Sequence, residues 1–248
     1  MGTVIAKWGH DMGDVMTPEG PASIWMRPER AAAGRPAQRS RAEITAAAIG
    51  IADREGLDAV SMRRVAAELG TGAASLYRYV DTREELLELM SDATAAEYSL
   101  PGPDGDWLAG LLAIAEQTRA IMRRHPWLPG LVLTRPVIGP NGLSLLQHYL
   151  ALLEHHPADI AAKLEAFAML SGMTATFVLH EQAGGAELAE RNLAYVQHAL
   201  TSGEHPALAR LLSQGPPPPG DAVQSVNPAD RFRDILARVL TALLSPAG

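Results

Sequence analysis

The amino-acid sequence predicts an all-α protein, and three observations carry the prediction. Apolar residues recur at helical spacing in segment after segment, the segments open at Ser, Thr or Asn and close at Gly or Pro, and no stretch alternates like a strand for more than a few residues. A first helix is predicted over 41–55. Ser40 and Glu43 form an S-x-x-E capping box, Ile44, Ala48 and Ile51 then share one face, and Gly56 is a suitable left-handed stop. Ser61 caps a second helix, in which Met62, Val65 and Leu69 line up before Gly70 ends it near residue 69. A third, very short helix begins at Gly72 with Leu76 and Val80 as its apolar stripe. Asp81 with Glu84, or Thr82 with Glu85, offers the next cap, and a fourth helix follows over about 83–98 through Leu86, Leu87, Leu89 and Met90.

Beyond Leu100 the stretch PGPDGDW is turn chemistry, dividing a small module (40–99) from a larger one (100–248). Helices are expected there at about 106–124, 141–155 with Asn141 as cap, 158–182, 187–202 and 229–244, with a mobile proline-rich loop over about 213–228. Residues 1–39 hold Gly, Pro, Met and isolated charges without a sustained period, which predicts a disordered arm. No internal repeat is found.

Composition narrows the function. The 248 residues are 47% hydrophobic and 20% charged, enough for one sizeable core or two small ones. The absence of cysteine excludes disulfides, thiolate zinc sites, iron-sulfur clusters and cysteine nucleophiles, and fits a cytoplasmic location. Lys7, His10, Asp11 and Asp14 interrupt any apolar N-terminal stretch, so no signal peptide is expected. The longest uncharged apolar-rich run, Ala166 to Leu179, is 14 residues, short of the roughly 20 that span a bilayer, so no membrane partner is expected. Net charge is −7, unfavourable for nucleic acid, yet its distribution is uneven: 92–248 carries 10 basic and 15 acidic side chains, whereas 21–41 carries five arginines against Glu29 alone. A basic arm precedes an acidic body.

The second and third helices, joined through Leu69-Gly70-Thr71-Gly72, have the dimensions of a helix-turn-helix, in which the second helix enters the major groove of DNA. At 100° per residue, Leu76 and Val80 point into a three-helix core while Ala74 and Arg78 lie opposite, flanked by Ser75 and Tyr77. An arginine there can fork onto guanine O6 and N7, and the alanine lets the helix approach closely. Tyr77, Tyr79 and Arg83 are placed to grip phosphates, with the helix N-terminus at Arg83 adding backbone amides. Arg35, Arg39 and Arg41 can reach an adjacent minor groove, or belong to a solvated tail.

Residues 61–90, SMRRVAAELGTGAASLYRYVDTREELLELM, resemble the DNA-binding domain of the tetracycline-repressor (TetR) family of bacterial regulators. The most specific part is Leu76-Tyr77-Arg78-Tyr79 followed by a basic residue and an acidic, leucine-rich helix start. The resemblance implies a homodimeric, mostly repressing regulator that binds a palindromic double-stranded operator and is released by a small-molecule effector. It carries DNA contacts over to Ser61, to Thr71, Gly72, Ala73, Ala74 and Ser75, to Tyr77, Arg78 and Tyr79, and to Arg83. Gly72 stands where a Ser or Thr cap is usual and Val80 where Phe is usual. The segments RHPWLP at 124–129 and GPNG at 139–142 resemble the C-terminal domain of the subgroup nearest the tetracycline repressor itself.

That second resemblance implies a four-helix dimer interface built from the helices at 158–182 and 229–244. Phe232, Ile235, Leu236, Val239, Leu240 and Leu243 form a wide stripe on the last helix, and Ser171 with Gly172 permits close backbone approach. The other reading of these helices is that both are central in one core. A pocket with apolar walls and a few polar groups is expected among the helices, with Trp127, His148, Phe167, Leu170, Thr174, Phe177, His180 and Glu181 as candidates. No metal or cofactor is expected, since His155-His156 and His180-Glu181 are adjacent pairs pointing about 100° apart. No G-x-S-x-G, H-E-x-x-H, phosphate loop or dinucleotide fingerprint occurs, which argues against an enzyme. A helical interaction protein with degenerate DNA binding stays open, because 41–91 holds 6 basic and 9 acidic residues.

Overall fold

A computed structural model describes residues 23–28, 39–100, 102, 105–135, 138–183, 185–202, 205–213 and 228–245. The described residues form eleven α-helices and no strand: α1 Arg41–Glu55, α2 Met62–Glu68, α3 Ala73–Leu76, α4 Arg83–Ala95, α5 Trp107–Arg124, α6 Leu128–Thr134, α7 Pro140–Leu152, α8 Ile160–Gln182, α9 Gly185–Thr201, α10 Pro206–Ser213 and α11 Pro228–Leu244. Single 3-10 turns occur at Ile24–Met26 and Leu57–Ala59. Arg35 and the proline-rich stretch 214–227 lie outside the described residues, as does most of the expected arm.

Local chemistry fixes the first module. The Ser40–Glu43 box closes reciprocally at the start of α1, Ser61 accepts from Arg64 N at α2, and Thr82, of the two caps offered, accepts from Glu85 N at α4. The turn after α2 is a Schellman motif: Thr71 N donates to Ala66 O at 2.9 Å, Gly70 N to Ala67 O at 3.1 Å, and Gly70 takes the left-handed φ of +65°. Gly72 caps α3 without a side chain. Ser75 Oγ instead donates to Gly72 O at 2.7 Å and accepts from Thr71, tying the turn to the helix it starts.

Two buried clusters run through the molecule. One gathers Ile44, Ile51, Val65, Leu76, Val80, Leu86 and Met90 and continues into Ile121, Met122, Trp127, Leu128, Leu131, Ala175 and Val178. The other gathers Leu111, Tyr149, Leu153, Leu170, Phe232, Leu236 and Leu240 inside the larger half. Around them α8 packs on α5, α6 and α11, and α4 packs on α1 and α7. At 23 residues α8 is long and apolar enough, by length and composition, to cross a membrane, where the sequence offers a 14-residue run; its contacts are those of a helix in the body.

Several expectations need correction. The short helix α6 was not anticipated; it follows Pro126 and carries Pro129 in its first turn, where a proline lacks only an amide that the helix leaves unbonded anyway. Asn141 is not a cap. Gly139 holds that position and Pro140 opens α7, while the Asn141 side chain bonds to Asp92. In the arm, Ser23–Arg27 is ordered and packed, with Ile24 1% exposed in the first cluster. Helix α10 was not anticipated, and α4 ends at Ala95, not near 98.

Candidate nucleic-acid interface and effector half

The helix-turn-helix presents Ala74, Tyr77 and Arg78 to solvent while Leu76 and Val80 are fully buried. Tyr77 is 51% exposed, which for a large ring marks an available contact surface. The Arg78 guanidinium makes no ion pair with any described residue and is free to reach a base edge. Arg63, exposed on α2, likewise makes no ion pair with a described residue, and sequence reasoning passed over it; the Arg63-Arg64 doublet two residues after the Ser61 cap was its signal. Its neighbour Arg64 is engaged, pairing with Glu55 at 2.7 Å and Glu68 at 2.8 Å. Ser61 is exposed, Thr71, Ala73 and Ser75 are half-buried, and Tyr79 packs partly against the core.

Three arginines expected on DNA are turned inward. Arg83 Nε donates to Val60 O at 2.9 Å and its Nη2 to Leu57 O at 3.0 Å, so it satisfies carbonyls left over by the 3-10 turn instead of reaching outward for a phosphate. Arg41, expected in the minor groove, donates to Tyr79 O at 3.1 Å, Ile24 O at 3.2 Å and Arg27 O at 2.9 Å. Arg39 donates to Leu69 O at 2.6 Å, at the end of α2. In each case a carbonyl distant in sequence claims the guanidinium.

The helix-turn-helix module is clasped to the body at two places, one on α4 and one just beyond its end. Asp92, 6% exposed, accepts from Gly142 N at 2.9 Å and from Asn141 Nδ2 at 3.0 Å, so a carboxylate on α4 caps the N-terminus of α7. Just past the end of α4, Glu97 meets His125. The ring nitrogens of buried His125 lie 2.8 Å from Asp53 Oδ1 on α1 and 2.8 Å from Glu97 Oε1, so one imidazole bridges carboxylates from both sides of the joint. Trp127 Nε1 donates to the same Asp53 oxygen at 2.7 Å. Burial works against the ionised form of Glu97, but bonds from Arg124 and His125 outweigh it and hold the carboxyl below its ordinary range. Tyr98 donates to Thr118 on α5 at 2.7 Å, and burial pushes its phenol up to about 12.

Trp127, expected in the effector pocket, therefore belongs to this clasp. The other candidates divide. Phe167, Leu170, Thr174, Phe177 and Glu181 share one face of α8: Phe167 meets Tyr149 edge-on at 4.9 Å, Phe177 meets Phe232 at 5.1 Å, and Leu170 and fully buried Thr174 lie in the core. Thr174 returns its hydroxyl to Leu170 O at 2.7 Å. Glu181 pairs with Arg119 and Arg123, and the Arg119 guanidinium lies 5.3 Å over the Phe232 ring. His180 is exposed and His148 half-buried. A cleft of about 590 Å³ opens between Gly105, Trp107, Leu152 and His156. None of the expected effector residues lines it.

The apolar stripe of α11 also divides. Phe232, Leu236 and Leu240 are at most 1% exposed within this chain alone, so they build its own core and are closed to a twin. Ile235, Val239 and Leu243 flank them half-buried, as do Ser171 and Gly172 on α8.

Residues 44–90 match the model for bacterial regulatory proteins of the tetR family, and residues 100–245 match the tetracyclin repressor-like C-terminal domain. The HTH-type transcriptional repressor DrrR1 of Streptomyces coeruleorubidus is 36% identical over 200 residues, 76% of this chain and 74% of that one. The class A tetracycline repressor protein from transposon 1721 of Escherichia coli is 28% identical over 149 residues, 58% of this chain and 68% of that one. Apo ActR from Streptomyces coelicolor superposes with a TM-score of 0.70 at 30% identity, covering 85% of this chain and 98% of that one. ActR in complex with actinorhodin gives 0.69 at 30% identity over the same shares.

Proposed function

This chain belongs to the TetR family of DNA-binding transcriptional regulators, and from that premise we propose that it is a homodimeric repressor that holds a palindromic operator and lets go when a small aromatic molecule enters the helical body. The observation that carries the reading is the placement of α4. That helix starts a few residues after the exposed Ala74, Tyr77 and Arg78 and is bonded to the body at Asp92 and, just past its end, through Glu97, so a shift in α7 or α5 would move the reading head. The named function of DrrR1 supports repression, and the ActR complex with actinorhodin supports an aromatic effector. Tyr149, Phe167, Phe177 and Phe232 supply ring edges suited to such a ligand.

Dimerisation uses the outward flanks of α8 and α11. Met169, 41% exposed, lies on the same helix as Ser171 and Gly172, and Ile235, Val239 and Leu243 recur at i, i+4, i+8 beside the buried stripe. A two-fold dimer sets equivalent recognition helices in successive major grooves, about 34 Å apart.

A single titration series tests the whole reading. Light scattering reports the dimer at micromolar concentration, and a mobility shift on the DNA upstream of the gene reports the operator. Candidate aromatic compounds are then titrated with and without operator. An inducer with a hundredfold preference for the shifted state supplies about 2.7 kcal/mol, and operator must weaken its binding by the same factor. Equal affinities in the two titrations, or a monomer that leaves the DNA unshifted, overturn the proposal.

A further inference from the structure

The segment Ser23–Arg27 has no part in the function argued so far, although it is built into the DNA-reading module. Ser23 caps its single turn, and Ile24 belongs to the same buried cluster as Ile44, Leu76, Val80 and Leu86. The carbonyls of Ile24 and Arg27 both accept from Arg41, whose Nε holds Tyr79 O at the end of the recognition segment. Arg27 then crosses to two of the three acids that follow that segment, donating to Asp81 and, at 2.5 Å, to Glu85. Its guanidinium is held more firmly protonated than usual, first by the bond to Glu85. Its Nε is buried without a hydrogen-bond partner among the described residues, so the side chain is committed to those carboxylates at some cost.

Asp81 is more than half exposed and follows the Tyr77–Val80 segment directly, and Glu85 lies in the first turn of α4 with its carboxylate accepting from Asp81 N at 2.8 Å. Two uncompensated carboxylates there repel a phosphate backbone. We propose that residues 23–27 form a strap that belongs to the DNA-reading machinery: Ile24 anchors it, Arg41 passes its position to Tyr79, and Arg27 cancels the charge of Asp81 and Glu85. Arg27 is thus a positioning and screening residue that acts through those acids and makes no DNA contact of its own. The strap rests on the DNA-binding reading above.

A double-mutant cycle on the full chain tests it, using fluorescence anisotropy with a duplex that the unmodified chain selects from a random pool. Arg27→Ala is expected to weaken binding about tenfold, and Arg27→Lys to recover most of the loss. In a chain already carrying Asp81→Asn and Glu85→Gln, Arg27→Ala is expected to change affinity by less than about twofold. That acid-free chain with Arg27 intact must bind at least as tightly as the unmodified one, a result that does not depend on how well Arg27→Ala folds. Equal losses in both backgrounds mean that Arg27 touches DNA itself, and no loss in either means that the strap is only scaffolding; both overturn the proposal. Failure of the unmodified chain to select any duplex overturns the DNA-binding reading instead, and appears before any variant is compared.

Discussion

The DNA-reading module and the helical body are held together by different physics. In the module, polar geometry is added to the buried cluster at joint after joint: Ser40, Ser61 and Thr82 cap three helices, Arg39, Arg41 and Arg83 close open carbonyls, and Arg64 bridges Glu55 to Glu68. In the body, apolar faces do the corresponding work, with Leu111, Tyr149, Leu170, Phe232, Leu236 and Leu240 meeting around α8. Hydrogen bonds have one good arrangement, whereas apolar packing tolerates repacking at small cost. A part that reads a fixed DNA helix gains from the first, and a body that takes up a ligand and shifts, as proposed above, would gain from the second.

The largest effect that can break this comparison is in the body. Phe232→Ala removes a buried ring that packs on Phe177 and lies under Arg119, and is expected to cost about 3–5 kcal/mol in urea unfolding. DNA affinity per folded molecule should stay unchanged; a matching fall in affinity means that the two regions are not mechanically distinct. Arg78→Ala is the converse case, expected to lose about 1–3 kcal/mol of operator binding and to relax one base pair of specificity while the melting temperature holds.

Between the two regions, His125→Ala removes the ring that bridges Asp53 to Glu97, leaving Asp53 with Trp127 Nε1 and Glu97 with Arg124 as separate donors. It is expected to destabilise the chain by about 1–3 kcal/mol and to shrink the factor by which an effector weakens DNA binding. Paired titrations with the unmodified chain measure that factor. Within the module, Gly70→Ala meets a φ of +65° with open space around the site, so backbone strain alone should cost about 1–2 kcal/mol by thermal melting.

The smallest expected effect concerns pH. Glu97 is held below its ordinary range in the folded chain, so its stabilising contribution is present above the ordinary carboxylate value and is lost as pH falls through the lower folded value. Melting curves taken downward from pH 5 should show the unmodified chain losing its advantage over Glu97→Gln.

What the sequence made legible was what depends on near neighbours. The Ser40–Glu43 box, the Gly56 and Gly70 stops and the Leu76–Val80 stripe are set by residues three or four positions away, and all appear where expected. What periodicity left unseen shares an opposite cause. Arg41, Arg83, Trp127 and Ile24 take partners 14 to 74 positions distant, so their direction depends on tertiary packing that periodicity does not encode. The exposed face of α3 was legible because it follows from the two buried residues opposite. The face of α8 proposed for an effector was only half legible, since a ring that lines a pocket and a ring that fills a core have the same spacing.

The carboxylate of Asp92 bears on how such regulators can be recombined. The first turn of α7 has no cap of its own: Gly139 brings no side-chain bond, and a Cβ there would lie 2.5 Å from the Asp92 carboxyl and 2.6 Å from Trp25. The start of a body helix is therefore finished by atoms that the DNA-reading half contributes. A chimera that grafts a relative's DNA-reading half onto this body inherits a working joint only if an acid stands where Asp92 does and the graft also brings partners for His125. Without them α7 frays at the seam, and a hybrid assembled from two sound halves responds to neither operator nor effector.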